Sequence, residues 1–163
     1  MSGTCCVASA SPDATRELGA RLGALLCPGD VFALSGELGA GKTCLVQGIA
    51  RGLGVPPEVP VTSPTFTLVG EYPARVPLRH ADFYRVEHAS RLEDAGFDDL
   101  LDGRGALVVE WPERFPEALP AEHLAVRIEL SPAEGAGEPA RRICFSGRGL
   151  RAEQIRKSLL GSC

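Results

Sequence analysis

Residues 34–43, with the sequence LSGELGAGKT, decide the fold that this chain is expected to adopt. Gly36, Gly41, Lys42 and Thr43 satisfy the pattern G-x-x-x-x-G-K-[ST]. The apolar run VFALS before the motif predicts a buried strand, and CLVQGIA after it predicts a helix. Glycines let backbone N–H groups converge on a phosphate, and the helix N-terminus favours the same anion. The strand, loop and helix together predict a phosphate-binding loop.

The side chains that such a site needs are also present. Lys42 is one of only two lysines, the other being Lys157 near the C-terminus, and a lysine in this position neutralises phosphate oxygens. The hydroxyl of Thr43 is placed to bind Mg²⁺. Glu110 and Asp82 each end an apolar, strand-like segment, where a carboxylate next to a phosphate loop indicates a metal or catalytic role.

The nucleotide is expected to be ATP. Guanine-specific proteins with this loop usually recognise the base through an asparagine-lysine-x-aspartate segment, and the sequence contains no asparagine.

Charge and hydropathy limit the partners and the location of the chain. The 163 residues carry a formal net charge of −4, whereas proteins that bind nucleic acid tightly usually present a basic face. Direct, tight RNA binding is therefore disfavoured. No apolar run is long enough to span a bilayer, and the first residues lack the pattern of a secretion signal. We expect a cytoplasmic protein without membrane contact.

The cysteines favour neither a zinc site nor a disulfide framework. No pair has the two-residue gap of a zinc knuckle, and the three histidines do not complete a ligand set. We expect reduced and mostly buried thiols, as in a cytosolic protein. The six positions are Cys5, Cys6, Cys27, Cys44, Cys144 and Cys163.

Hydrophobic periodicity and turn residues predict the remaining elements. Helices are expected at 12–27, 42–54, 89–101 and 150–160, and strands at 31–35, 66–72, 76–84, 105–111, 124–130 and 141–147. The segment 55–65, rich in proline and hydroxyl side chains, predicts a loop.

These elements predict one α/β domain over residues 1–163, a P-loop NTPase-like three-layer fold around a central mixed sheet. Antiparallel strands from 66–84 and 124–147 are expected to extend that sheet at one edge. Residues 1–10 and 161–163 are expected to be poorly ordered.

Three further segments carry a family resemblance. TSPTFTLVGEY (62–72), HADFYRV (80–86) and VVEWPER (108–114) follow GELGAGKT in an order and spacing that closely resemble the bacterial TsaE family, formerly YjeE. Members of that family are P-loop ATPases that act with TsaB and TsaD to make N6-threonylcarbamoyladenosine at position 37 of tRNAs. The resemblance extends over residues 12–146 and is looser beyond residue 112.

The resemblance implies a role for each matching polar residue. Lys42 would contact the nucleotide phosphates, and Thr43 and Glu110 would hold Mg²⁺. Asp82 would orient the attacking water or the switch loop. Lys42, Asp82 and Glu110 are therefore the expected catalytic residues.

The same resemblance places further residues around the nucleotide. The hydroxyls of Thr62, Ser63 and Thr65 would lie in a switch segment that changes its contacts on hydrolysis. Thr15 would lie on the adenine side, and Arg141 and Arg142 could face the phosphates. The expected nucleotide-binding set is Thr15, Gly36, Glu37, Leu38, Gly39, Ala40, Gly41, Lys42, Thr43, Cys44, Thr65, Trp111 and Arg142.

Taken alone, several of the neighbouring residues favour structural roles. Trp111 would be a packing residue, and Phe83 and Tyr84 favour strand packing over base stacking. His80 indicates a core histidine bonded to backbone rather than a catalytic group.

The resemblance implies an ATPase that is slow alone and resets a TsaB–TsaD complex, with tRNA contacted only through that complex. Two alternatives stay open: a small-molecule kinase, and a nucleotide-gated binding module with negligible hydrolysis.

Overall fold

The computed structural model describes residues 3–131 and 139–161. The strands are β1 (Thr4–Ser9), β2 (Val31–Ser35), β3 (Val69–Tyr72), β4 (Leu78–Asp82), β5 (Ala106–Glu110), β6 (His123–Leu130) and β7 (Arg141–Arg148). The α-helices are α1 (Pro12–Ala24), α2 (Lys42–Leu53), α3 (Ser90–Asp94) and α4 (Leu150–Leu160), and 3-10 helices cover Phe97–Leu101, Pro112–Arg114 and Pro116–Ala118.

The seven strands form one mixed sheet in the order β1-β7-β6-β2-β5-β4-β3. Strands β6, β2, β5 and β4 are parallel to one another, and β3, β7 and β1 are paired antiparallel. The predicted α/β fold with a mixed sheet is confirmed. The prediction of a single extended edge is wrong, because β3 lies at one edge while β7 and β1 lie at the other. The segments 78–82 and 123–130, predicted as edge additions, belong to the parallel centre.

Two predicted elements are interrupted by left-handed backbone. The strand predicted from residue 66 begins at Val69, because Leu68 has a φ of 69° and its N–H donates to the Pro64 carbonyl to form a turn. The helix predicted over 89–101 is split at Gly96, whose φ of 76° ends the first helix and starts a 3-10 helix. Both are changes of local geometry at single residues, which periodicity does not detect.

The N-terminal segment corrects two predictions. Residues 4–9, expected to be poorly ordered, form β1 along β7, where Cys6 lies directly opposite Cys144. These two cysteines form a disulfide across 138 residues of sequence, so the prediction of reduced thiols is wrong for this pair. The two thiols meet because β1 and β7, which are far apart in sequence, pair in the sheet. The spacing of the cysteines along the chain does not reveal this pairing. Residues 1–2 and 162–163, also expected to be poorly ordered, lie outside the described residues.

Helices α1 and α2 touch backbone to backbone on one face of the sheet. A Cβ added to Gly48 would lie 2.1 Å from the Arg16 carbonyl oxygen, and one added to Gly52 would lie 2.2 Å from that of Ala20. Only glycine allows this approach. The contact, called the α1–α2 seam below, holds the helix that follows the glycine-rich loop 36–41.

The start of α1 is as predicted, since Ser11 accepts a hydrogen bond from the Ala14 N–H at 3.0 Å and Pro12 follows it. Among the helices of residues 3–131 and 139–161, none is long and apolar enough to cross a membrane.

Candidate nucleotide-binding site

The glycine-rich loop connects the carboxyl end of β2 to the first residue of α2. Gly36, Gly39 and Gly41 have φ values of 155°, 79° and 106°, a region that side-chain-bearing residues rarely adopt. A Cβ on Gly36 would lie 2.7 Å from the Ile128 carbonyl oxygen, so the loop also packs closely on β6. Since Gly41 immediately precedes the helix, the first N–H groups of α2 open onto the loop.

Lys42 is held by the loop that it follows. The residue is only 7% exposed, and its ammonium donates to the carbonyls of Gly36 and Glu37, the latter at 2.9 Å. The same nitrogen lies 4.4 Å from the ring centroid of Trp111. Burial lowers the pKa of Lys42, against the opposing effect of nearby carboxylates of which Glu110 is the strongest. The ammonium is thus partly desolvated and is held by carbonyl oxygens and an aromatic ring.

The two predicted acids lie side by side. Asp82 and Glu110 are register partners on β4 and β5, both almost completely buried. Asp82 accepts a hydrogen bond from the Tyr84 N–H at 2.8 Å. Burial nevertheless raises the pKa of Asp82, and the charge of Glu110 adds to that increase.

The loop 62–68 is tied to these acids by its hydroxyl groups. Ser63 donates to Oε1 of Glu110 at 3.0 Å, and Thr65 donates to Oδ2 of Asp82 at 3.2 Å. The Thr43 and Ser63 hydroxyl oxygens are 3.2 Å apart. The Ser63 oxygen therefore bridges the two side chains predicted to hold Mg²⁺.

These groups surround one cavity of about 390 Å³. Ten of the expected catalytic and nucleotide-binding residues line it: Leu38, Gly39, Gly41, Lys42, Thr43, Cys44, Thr65, Asp82, Glu110 and Trp111. The other lining residues are Ser63, Tyr84 and Arg141. Gly36, Glu37 and Ala40 lie in the same loop and line a neighbouring cavity together with Trp111. Cys44 is a half-buried free thiol.

Trp111 and Tyr84 form an aromatic wall of the cavity. Their ring centroids are 4.8 Å apart, and Trp111 has a φ of 56° as the chain leaves β5. Both rings line the cavity, whereas the adjacent Phe83 is fully buried and packs edge-on against Phe97. Strand packing, the favoured interpretation from sequence, fits Phe83 and does not fit Tyr84.

Two predicted residues are not brought to the cavity. Thr15 is buried in α1, where its hydroxyl lies 2.7 Å from that of Ser9. Arg142 is exposed and points to the opposite face of β7. Of these two neighbouring arginines, Arg141 is the one that contacts the glycine-rich loop, since its Nε donates to the Ala40 carbonyl at 3.1 Å. Side chains alternate along a strand, so an error of one residue moves the guanidinium to the other face.

One buried residue at the site was not predicted to act there. His80 is fully buried, and its Nε2 lies 3.0 Å from Oε1 of Glu110, whereas the sequence suggested a bond to backbone. The sequence indicated only that His80 lies two residues before Asp82. The contact with Glu110 depends on β4 lying beside β5, which the sequence does not show.

The donor set fits Mg²⁺ bound together with a nucleotide. One hydroxyl and one carboxylate are hard oxygen ligands of the kind that Mg²⁺ takes, with phosphate and water oxygens supplying the rest. No group of three His, Cys, Asp or Glu side chains able to hold a metal occurs among the residues that the structure describes.

A model of the family described as threonylcarbamoyl adenosine biosynthesis protein TsaE matches residues 9–142, which include the loop and both acids. The chain belongs to the TsaE family. The tRNA threonylcarbamoyladenosine biosynthesis protein TsaE of Bacillus subtilis is 41% identical over 150 residues, covering 91% of this chain and 89% of that protein. TsaE of Mycobacterium tuberculosis H37Rv is 46% identical over 126 residues, covering 71% and 73%.

The fold comparison agrees with the sequence comparison. The crystal structure of Bacillus subtilis YdiB matches with a TM-score of 0.80 at 34% identity, covering 98% of this chain and 95% of that one. The TsaE resemblance stated from the four motifs is confirmed.

Proposed function

We propose that this chain is a Mg²⁺-dependent ATPase of tRNA threonylcarbamoyladenosine biosynthesis. Membership of the TsaE family supports the pathway. The proposed ATPase activity is supported by one observation: the glycine-rich loop, Lys42 and two adjacent buried carboxylates meet at one cavity.

The phosphates bind at the loop between β2 and α2. Lys42 leaves the carbonyls of Gly36 and Glu37 and pairs with β- and γ-phosphate oxygens, while backbone N–H groups at the start of α2 complete the contact. Arg141, already hydrogen-bonded to the loop, adds positive charge on the same side.

Thr43 and Glu110 would hold the metal ion. When bound, Mg²⁺ neutralises charge that develops on the phosphate oxygens during transfer. The Ser63 hydroxyl contacts both of these side chains and so ties loop 62–68 to the pair, and the loop would respond to the occupancy of the site.

Asp82 orients the attacking water. Its carboxylate is fixed by the Tyr84 N–H and the Thr65 hydroxyl, and its raised pKa makes it a better proton acceptor than an ordinary aspartate.

A protein partner completes the site, and we propose the TsaB–TsaD complex in this role, with tRNA held by that complex. Large apolar side chains are exposed at the rim of the cavity: Leu38 is 66% exposed and Phe66 is 80% exposed. The Arg85 guanidinium lies 4.5 Å over the Phe66 ring. Exposed apolar groups rimmed by charge are typical of protein contacts.

Steady-state phosphate release tests the proposal. Purified protein is assayed with Mg-ATP alone and with its TsaB–TsaD complex. We expect slow turnover that rises several-fold with the complex. Absence of stimulation, with turnover either fast or undetectable, would favour the kinase or the silent binding module, and transfer of phosphate to a soluble acceptor would identify the kinase.

A further inference from the structure

His80 has an unusual position for a core histidine. It lies on β4 in register with Val108 of β5, on the sheet face that packs beneath α1 and α2, and Glu110 is the next residue of β5 on that face. A carboxylate oxygen can only accept a hydrogen bond, so His80 Nε2 carries the proton and donates to Oε1 of Glu110.

The two oxygens of Glu110 have different surroundings. Oε1 accepts from both His80 Nε2 and Ser63 Oγ, each at 3.0 Å. Oε2 receives no hydrogen bond from the residues that the structure describes, and Glu110 lines the cavity. Two donors on one oxygen fix the rotation of the carboxylate and leave its other oxygen toward the cavity.

Packing alone does not explain a histidine at this position. Leu78 and Val108, on the same face, are apolar and fully buried. The His80 Nδ1 is buried and has no hydrogen-bond partner among the described residues. An unpaired buried polar atom destabilises a fold, and an apolar side chain would avoid that penalty.

We propose that His80 is a positioning residue of this site, which orients the Glu110 carboxylate so that Oε2 is presented to the metal ion of a bound Mg-nucleotide. The inference rests on the proposed function, since it requires Glu110 to be a metal ligand. His80 reaches neither nucleotide nor metal and acts only through Glu110.

The test measures ADP binding by calorimetry with Mg²⁺ and with EDTA. The variants are His80→Gln, whose amide nitrogen can reach the place of Nε2, and His80→Asn, whose amide cannot. The matched control is His123→Asn, because His123 is a partly buried histidine on β6 whose ring contacts the Pro120 carbonyl, remote from the cavity.

We expect His80→Asn to lower the Mg²⁺-dependent gain in ADP affinity by about tenfold, as for other residues that orient metal ligands. Binding in EDTA should not change, His80→Gln should recover most of the gain, and the control should resemble the wild type. A thermal unfolding curve for each variant checks folding. A His80→Asn protein with the full Mg²⁺ effect, or with equal loss in EDTA, would overturn the inference.

A double-mutant cycle with Glu110→Gln separates this role from a structural one. If His80 acts through Glu110, His80→Asn should cause no additional loss of the Mg²⁺ effect in the Glu110→Gln background. Additive losses would contradict the inference while leaving the proposed function intact. If the wild type shows no Mg²⁺-dependent ADP binding, the proposed function fails, and the inference fails with it.

Discussion

The α1–α2 seam and the cavity lined by Lys42, Asp82 and Glu110 both depend on glycines, and they use them in opposite ways. At the seam, glycine removes side-chain volume so that two backbones touch, and a single methyl group on Gly48 would meet the Arg16 carbonyl. At the cavity, glycines leave an open space lined by polar groups that include Lys42 and Asp82, and burial lowers the pKa of Lys42 and raises that of Asp82. The seam is organised for stability, whereas the cavity keeps polar groups that stability alone would not retain. Substitutions in the two regions should therefore affect different measurements.

The largest effect on stability is expected at the edge of the sheet, outside both regions. Replacing Cys6 and Cys144 together by serine removes a cross-link over 138 residues, which in the chain-entropy model lowers the free energy of unfolding by up to about 5 kcal/mol. Urea denaturation measures the loss. Nucleotide affinity should not change, because neither cysteine lines the cavity around Lys42, Asp82 and Glu110.

Cys27→Ser is the control for that experiment, since Cys27 is a free and exposed thiol and its replacement should change stability little. A double variant as stable as the control would show that the cross-link does not contribute.

Gly48→Ala should be the next largest change. The added methyl group forces α1 and α2 apart and lowers the free energy of unfolding by about 2 kcal/mol, the usual size of an overpacking effect. Gly3→Ala is the matched control, because nothing lies within 4 Å of its added Cβ. If both variants unfold at the same urea concentration, the helices are not packed as closely as the seam requires.

Asp82→Asn should act in the opposite direction on stability. Because burial raises the pKa of Asp82, the folded state favours the protonated form, and the wild type loses stability through this group as pH rises through the raised pKa. Asparagine avoids the buried charge, so the variant should be more stable than the wild type at pH 7–8. The gain should disappear below about pH 4, near the ordinary pKa of aspartate.

Thermal unfolding from pH 3 to pH 8 checks this dependence, and the same variant should bind ATP while hydrolysing it more slowly. An Asp82→Asn protein that is less stable than the wild type at pH 8 would contradict the interpretation that the ionised Asp82 carboxylate destabilises the folded state.

The sequence predicted the cavity better than the edges of the sheet, for a physical reason. The loop and its flanking strand and helix are contiguous, and Lys42 and Thr43 follow from the motif alone. Asp82 and Glu110 end parallel strands, whose carboxyl ends must meet at one edge.

Contacts that depend on strand order or on strand face were missed. The Cys6–Cys144 bond needs β1 beside β7, and the His80–Glu110 contact needs β4 beside β5. The structure brings Arg141, and not Arg142, to the glycine-rich loop, because side chains alternate along β7 and one residue decides the face.

The central claim is that the glycine-rich loop and Lys42 form the phosphate site. Its most direct test uses the only two lysines of the chain. ATP affinity is measured by calorimetry for Lys42→Ala and for Lys157→Ala, the latter replacing a largely exposed lysine on α4. We predict that Lys42→Ala lowers the ATP affinity by about 100-fold, which corresponds to about 2.7 kcal/mol of binding free energy. Lys157→Ala should bind ATP with wild-type affinity. Wild-type affinity in the Lys42→Ala protein would contradict the assignment of the loop as the phosphate site.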